Sequence, residues 1–472
     1  PLRSNYEDTR LAASSQQTLN MYPHSKMGYR QFPALVEFAN FLSSVEPLND
    51  NASEQLTASG EPLFVSVNAG GDSRGLHEMN GVLYVVSGPS LYSVTESKTT
   101  AYIGAIANNP NPVIMSDDDE ELIITTGSTA YSYKVSGGLT SITDSDIDTT
   151  FTNAYLDSRR IYDQPSGEFV VSDINDGTSV DGLNFAEAEA FGDDLLSVAT
   201  MNQLAYLFGK KSTEIWYTTG VGRPPLARQT VIEHGIAGRY ARASIDDRLY
   251  FIDDEKAPSV FIGGQYSPLI LSANGRQDGS ALAEEWSTYS TSTMEGSIVQ
   301  CYAVGQENFV DFIFPNISKT WTFHEPTGEF FERTFKVVGA INTYNKTIMA
   351  GASNGKLYEL SSKVYEDDGN PITRRKDLPM ISAEMLGSDG RSVTLERLRV
   401  NYQASGAAEI SLTLSKDLES FNNTRTFTVN GNGRQTLTGF GMVHEGIVRI
   451  ETTSNSKVDI IDVSADITLL DD

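Results

Sequence analysis

Apolar and polar positions alternate in short runs along most of the chain and almost nowhere recur at helical spacing. β-Branched and aromatic residues fill these runs, and Gly, Asn, Asp and Ser break them, which is the pattern of strands joined by tight turns. One shape recurs. Residues 81–94 (GVLYVVSGPSLYSV) read as strand, turn and strand. The same shape returns at 121–135, 160–172, 204–217, 248–262, 309–323 and 346–360. Most of the spacings are roughly 40 residues, the period of a four-stranded propeller blade. A lone hairpin cannot bury its apolar face, so radially stacked neighbours must cover it. The pattern predicts an all-β protein with a β-propeller of about seven blades over residues 61–365.

The remainder departs from that period. Residues 270–300 lengthen one spacing and read as an inserted arm, a natural contact element that holds Trp286. Short helical patterns fall at 280–286 and 185–191. Beyond 360, residues 365–371 (YEDDGNP) and the cluster Arg374, Arg375, Lys376 read as a polar linker, with contact to an acidic neighbour as the alternative. Seven short strands follow, at 380–386, 394–402, 408–415, 424–429, 434–440, 446–452 and 458–467. Evenly spaced strands of this kind predict an antiparallel β-sandwich over 375–472, a tip or docking domain. Residues 1–60 form an irregular N-terminal segment that leads into the propeller and offers contacts, and the Asn/Asp/Ser-rich stretch 49–60 reads as a mobile loop.

The chain has 472 residues, with 62 acidic against 35 basic side chains and a formal charge of −27. Such a length buries a large core without covalent staples. The single cysteine, Cys301, excludes an intramolecular disulfide framework and a multi-cysteine zinc cluster. Its strand-like surroundings make it a small buried hydrophobe. No apolar run approaches the roughly 18 residues of a spanning helix, and the first residues hold no signal-peptide core. The expectation is a soluble chain without a membrane anchor or visible export signal. The acid excess argues against sequence-specific DNA reading, which needs Lys and Arg at phosphates. It is compatible with DNA as a passenger, because a negative wall repels phosphate and lets a duplex slide. Solubility is the plainer reading of the same charge.

No catalytic constellation stands out. The five histidines lie far apart, and none has a zinc-ligand spacing. There is no G-x-S-x-G elbow, Walker loop or dinucleotide fingerprint. The segment 208–217 carries Gly209, Lys210, Lys211 and Ser212 but lacks the upstream glycine of a phosphate loop, and reads as a blade turn. Asp144, Asp146 and Asp148 have the spacing of a calcium loop that lacks its glycine and its closing glutamate, and read as surface. The acidic run 116–121 reads as a solvated connection. The sequence therefore assigns no catalytic residue, cofactor or metal.

Several segments, taken in order, resemble one family. Asn20, Tyr22 and Pro23 are similar to its N-x-Y-P opening, and Arg74 and Gly75, followed by residues 83–92, to its first blade. Ser172, Asp173, Asn175 and Asp176, with 183–189 (LNFAEAE), resemble a further segment. The nearest stretch is 207–220, with Gly209, Ser212, Thr213, Glu214, Trp216 and Tyr217, and the series ends with Trp321 and residues 326–333. The family is that of tail hub or nozzle proteins of short-tailed bacteriophages (podoviruses), also called packaged-DNA stabilisation proteins. The likeness covers roughly residues 15–360. Phe32-Pro33-Ala34-Leu35 stands where the family's T-P-G turn is expected. The resemblance implies a non-catalytic virion protein, made in the host cytoplasm and assembled as a ring, commonly of six copies, below portal and adaptor. It also implies that the ring extends the DNA channel, helps retain the genome and serves in ejection, with tailspikes or fibres and a needle or tip docked on it. The alternatives are a receptor- or glycan-binding propeller of a fibre or adhesin, and a propeller glycosidase.

Overall fold

The computed structural model describes residues 18–23, 29–40, 71–188, 192–270, 281–334, 336–378, 380–383, 392–416 and 421–470. Seven blades, each an antiparallel run of four strands, follow one another around a common axis. The innermost strands are Ser73–Met79, Ile114–Asp117, Asn153–Leu156, Leu195–Met201, Arg242–Ile245, Ile298–Val304 and Val337–Thr343. Second strands such as Leu122–Thr125 are buried throughout, because neighbouring blades cover both faces. This is why the blades read as apolar runs with little polar interruption.

Turn chemistry fixes the blades locally. In four of them the turn between the first two strands holds two consecutive residues at positive φ: Asn80–Gly81, Asp157–Ser158, Asn202–Gln203 and Tyr344–Asn345. That is the type I′ geometry whose twist matches a hairpin, and Asn, Asp and Gly tolerate it best.

The ring closes on a strand from the other end of the chain. The seventh blade takes its outermost strand from Ala34–Asn40, which pairs with Lys356–Ser361 (Leu357 opposite Ala39, Leu360 opposite Leu35). Phe38 then joins Leu83, Val85, Ile348 and Leu357 in one core between the last blade and the first. Closure by a distant strand means the disc cannot open without breaking a sheet.

A sandwich follows the propeller. One sheet runs Asn370–Asp377, Glu445–Ser454, Ala408–Ser415, Phe421–Val429. The other runs Met21–Pro23, Tyr29–Gln31, Val458–Leu469, Val393–Ala404, Asn432–Val443. Leu395, Val400, Ile410, Leu412, Val448 and Val458 are fully buried between them. The first sheet is continuous with the sixth blade. Thr18–Leu19 lies parallel to Glu329–Arg333 and antiparallel to Asn370–Asp377. Propeller and sandwich therefore share hydrogen bonds through the N-terminal segment.

Three expectations are corrected. Residues 370–377 are no linker: Ile372, Arg374 and Lys376 form the buried face of a sandwich strand. The 270–300 stretch, where described, is no projecting arm. It forms two short helices, α1 (Ala281–Ser287) and α2 (Thr291–Glu295), and Trp286 packs edge-on against Phe314 at 5.0 Å and Phe312 at 5.5 Å. The helical reading of 280–286 holds, whereas Phe185–Glu187 is the outer strand of the third blade. Residues 49–60 and 271–280 lie outside the described residues.

Candidate functional site

The densest polar assembly is the joint between propeller and sandwich. Asn20 sits there in a left-handed conformation (φ 53). Its amide Nδ2 donates to Thr334 Oγ1 at 2.9 Å and to the Thr373 carbonyl at 2.8 Å, and its Oδ1 accepts from Thr334 N at 3.1 Å. One side chain thus links the N-terminal segment, the end of the sixth blade and the first sandwich strand. Tyr22 packs edge-on into Phe309, His324 and Phe32. Pro23 closes the same short strand opposite Tyr29.

Charges at this joint are buried, and one pair among them is matched. Arg333 Nη1 lies 3.2 Å from both carboxylate oxygens of Asp311, and both side chains are wholly buried. Asp311 also accepts from Gln300 (2.7 Å), Tyr302 (3.0 Å) and Thr322 (2.7 Å). Lys376 Nζ donates to Thr18 Oγ1 at 2.9 Å and stands 4.2 Å over the Tyr29 ring; burial pushes its pKa down to about 8. Arg374 donates to the Ser454 and Tyr365 carbonyls, and burial lowers it to about 10. Arg375, at the strand's other face, lies 3.5 Å from Glu451. The Arg374–Lys376 cluster, for which contact with an acidic neighbour was the alternative reading, and Trp286, placed in a contact arm, are thus engaged inside the chain. Cys301 is half-buried against the large core, and burial pushes its thiol well up.

The motif residues of the blades serve turns and close approaches. Arg74 donates to the Asn111, Gly88 and Ala107 carbonyls and to Asn109 Oδ1, all at 2.7–3.0 Å, tying the first blade to the crossover that follows it. It lines a cavity of about 740 Å³ at one mouth of the propeller axis. At Gly75 a Cβ would stand 2.8 Å from the Val113 carbonyl oxygen. In the third blade, Ser172 Oγ accepts from Arg160 N, Asp173 accepts from Ser179 Oγ, Asn175 (φ 54) donates its N–H to Ser158, and Asp176 caps Thr178. In the fourth, Gly209 admits the Asp193 carboxylate, which caps Ser212. Thr213 donates to the His234 carbonyl, and Glu214 accepts from Trp216 Nε1 at 2.8 Å. Tyr217 is exposed, and Trp321 is buried in the sixth blade.

The acidic run is an inter-blade tie, a further correction. Asp117 pairs with His77 of the first blade at 2.5 Å. Burial acts to raise its carboxyl, but His77, the Asp119 N–H and Arg160 outweigh burial and hold it below the usual range. Buried Arg160 donates to the Asp117 and Glu121 carbonyls and pairs with Asp118. Asp144 caps Asp146 N and Val180 N. Among the described residues, no group of three His, Cys, Asp or Glu side chains is placed to hold a metal.

The structure does not bring the motif residues together. They are spread over the N-terminal joint and the first, third, fourth and sixth blades, each fixing a local geometry. The motif reading included Arg333, within 326–333, but missed Asp311 and its other partners Gln300, Tyr302 and Thr322. A lone Asp inside the apolar run 309–314 is their sequence signal, since a charge there must be paired.

A closed propeller locked to a sandwich, with the Arg333–Asp311 pair buried beside the joint, is the build of a structural scaffold. Residues 58–365 match the profile of the Phage_stabilise family, described as Bacteriophage P22 Gp10, beta-propeller, and the chain belongs to that family. It is a structural protein of a phage tail, a virion component of a DNA-stabilising class. No curated protein matches the chain. Solved structures similar to it include the Neurospora crassa Pan2 WD40 domain (10% identity over 70% of this chain and 95% of that one, TM-score 0.44). The computationally designed Ika8 protein is another (9%, 74% and 97%, TM-score 0.39). A third is PorZ, a surface component of the type-IX secretion system of Porphyromonas gingivalis (12%, 66% and 43%, TM-score 0.40). The chain spans less than half of PorZ, and likenesses this distant carry nothing about function.

Proposed function

We propose that copies of this chain form the tail nozzle of a short-tailed phage: a ring, commonly six copies, below portal and adaptor. The ring extends the DNA channel, retains the packaged genome and passes it on ejection. Tailspikes or fibres and a needle or tip dock on its outside and end. The observation that carries this reading is the double fastening of the N-terminal segment. It closes the seventh blade with Ala34–Asn40 and hydrogen-bonds into both sandwich sheets. A unit so fastened resists shear between its domains, as a wall around pressurised DNA must. The net charge of −27 also supports it. Fields of exposed charges fade beyond about 10 Å in salt, so repulsion acts where a narrow lumen holds the duplex close. A ring further requires two different patches on each copy, since head-to-tail contacts are heterologous.

Negative-stain imaging of the purified protein mixed with portal and adaptor tests the assembly. A coaxial ring seated on the adaptor is the expected result. Solitary particles that never join the adaptor would overturn it.

A further inference from the structure

The outer flank of the third blade carries a groove of about 400 Å³ that no step above explains. Four carboxylates line it, Asp146, Asp148, Glu168 and Asp181, and no Lys or Arg does. Some of their capacity is used within the chain: Glu168 accepts from Ser166, and Asp181 pairs with Arg223 at 3.1 Å. Asp148 Oδ1 accepts from Thr149 N. The floor holds Gln164, which is 7% exposed. Its Oε1 accepts from Asp148 N at 3.1 Å, which fixes the amide orientation. Its Nε2 is buried and has no partner. A buried donor left unpaired costs about 1–3 kcal/mol, so the site is incomplete as it stands. Along the rim lies Phe185, 45% exposed. The Arg223–Asp181 pair draws in the adjoining loop of the fourth blade, whose Val221 is 76% exposed.

We infer that this groove receives an extended segment of another protein chain that bears a Lys or Arg next to an apolar residue. Charge complementarity selects the cation, which faces Asp146, Asp148 and Glu168. The orphaned Gln164 Nε2 donates to a backbone carbonyl of the segment, and Phe185 takes its apolar side chain. A bare metal ion fits less well, because the Gln164 Oε1 is already taken by Asp148 N. Exposed apolar side chains beside a groove of one charge sign are the usual mark of a protein contact. The inference does not depend on the ring: it concerns the flank of a single copy.

A positional-scanning library of capped hexapeptides, bound to the full chain, tests it. The expected profile favours Lys or Arg at one position and an apolar residue beside it. Asp146→Asn/Asp148→Asn should remove the basic preference and weaken the best peptide about fivefold to tenfold, as two solvent-facing ion pairs allow. Phe185→Ser should remove the apolar preference. Gln164→Leu should weaken binding and leave the charge preference intact. The carboxylate and Phe185 variants change exposed side chains, so their melting temperatures should match that of the parent. A flat profile, an acidic preference, or a profile unchanged in the variants would overturn the inference. So would calcium chloride alone raising the melting temperature of the parent and not of the Asp variant, which would make the groove a cation site.

Discussion

Replacing Asn20 with alanine probes the fastening most sharply. The change removes three hydrogen bonds, two to Thr334 and one to the Thr373 carbonyl. Each contributes about 1 kcal/mol. Thr334 is exposed, so water can take over there, whereas the Thr373 carbonyl is half-buried. Alanine also tolerates the positive φ of this position less well than asparagine, by roughly 1 kcal/mol. The sum is about 2–4 kcal/mol. With an m-value of about 3 kcal/mol/M in urea, the midpoint falls by up to about 1 M. All three tryptophans, Trp216, Trp286 and Trp321, lie in the propeller part of the chain, so their fluorescence follows that part alone, while circular dichroism follows both. The parent should give coincident curves. In the variant the two probes should separate, because the joint no longer couples the parts. Asn20→Gly, which relieves the backbone and still lacks the amide, should recover about 1 kcal/mol of the loss. Coincident curves with an unmoved midpoint would refute the idea that Asn20 holds the two parts together.

Further outcomes follow from the same geometry. Arg333→Met strands the Asp311 carboxylate in the core and should cost about 3–5 kcal/mol in urea unfolding. Lys376 has a pKa near 8 when folded, against about 10.4 unfolded, so between these values the unfolded chain binds the extra proton and stability rises with pH. Lys376→Met should flatten that rise, read as the parent-minus-variant midpoint from pH 7 to pH 10, and amounting to at most about 3 kcal/mol. Gly75→Ala would place its Cβ 2.6 Å from Val113 Cγ2 and 2.8 Å from the Val113 carbonyl oxygen. It should cost about 1–3 kcal/mol and speed amide exchange over 113–117 between the first two blades.

What the sequence disclosed depended on range. The blades were legible because each is a local hairpin: Asn80–Gly81 signals its own turn, and the strand 82–87 its own burial. The closure was not, because Ala34–Asn40 finds its partner at Lys356–Ser361, and no local pattern records that. The strand 370–377 was misread because its buried face is Ile372, Arg374 and Lys376. The alternation is present, but charges occupy the inner positions, and only the carbonyls and Thr18 waiting there make that tolerable. Phe185–Glu187 lies in an Ala/Glu-rich stretch with helical propensity, yet pairs with Glu168–Val171, so the blade overrode local preference. At the joint, Asn20 was singled out by its motif, whereas Asp311 signalled only that it needs a partner, and the fold supplied Arg333.

The most direct test of the account is the image of this chain in the intact tail. A cryo-EM map of the phage particle should place its copies as a closed ring around the DNA, with Asp and Glu outnumbering Lys and Arg on the inner wall. Copies standing singly at the tail periphery, or a lumen faced by Lys and Arg, would contradict it.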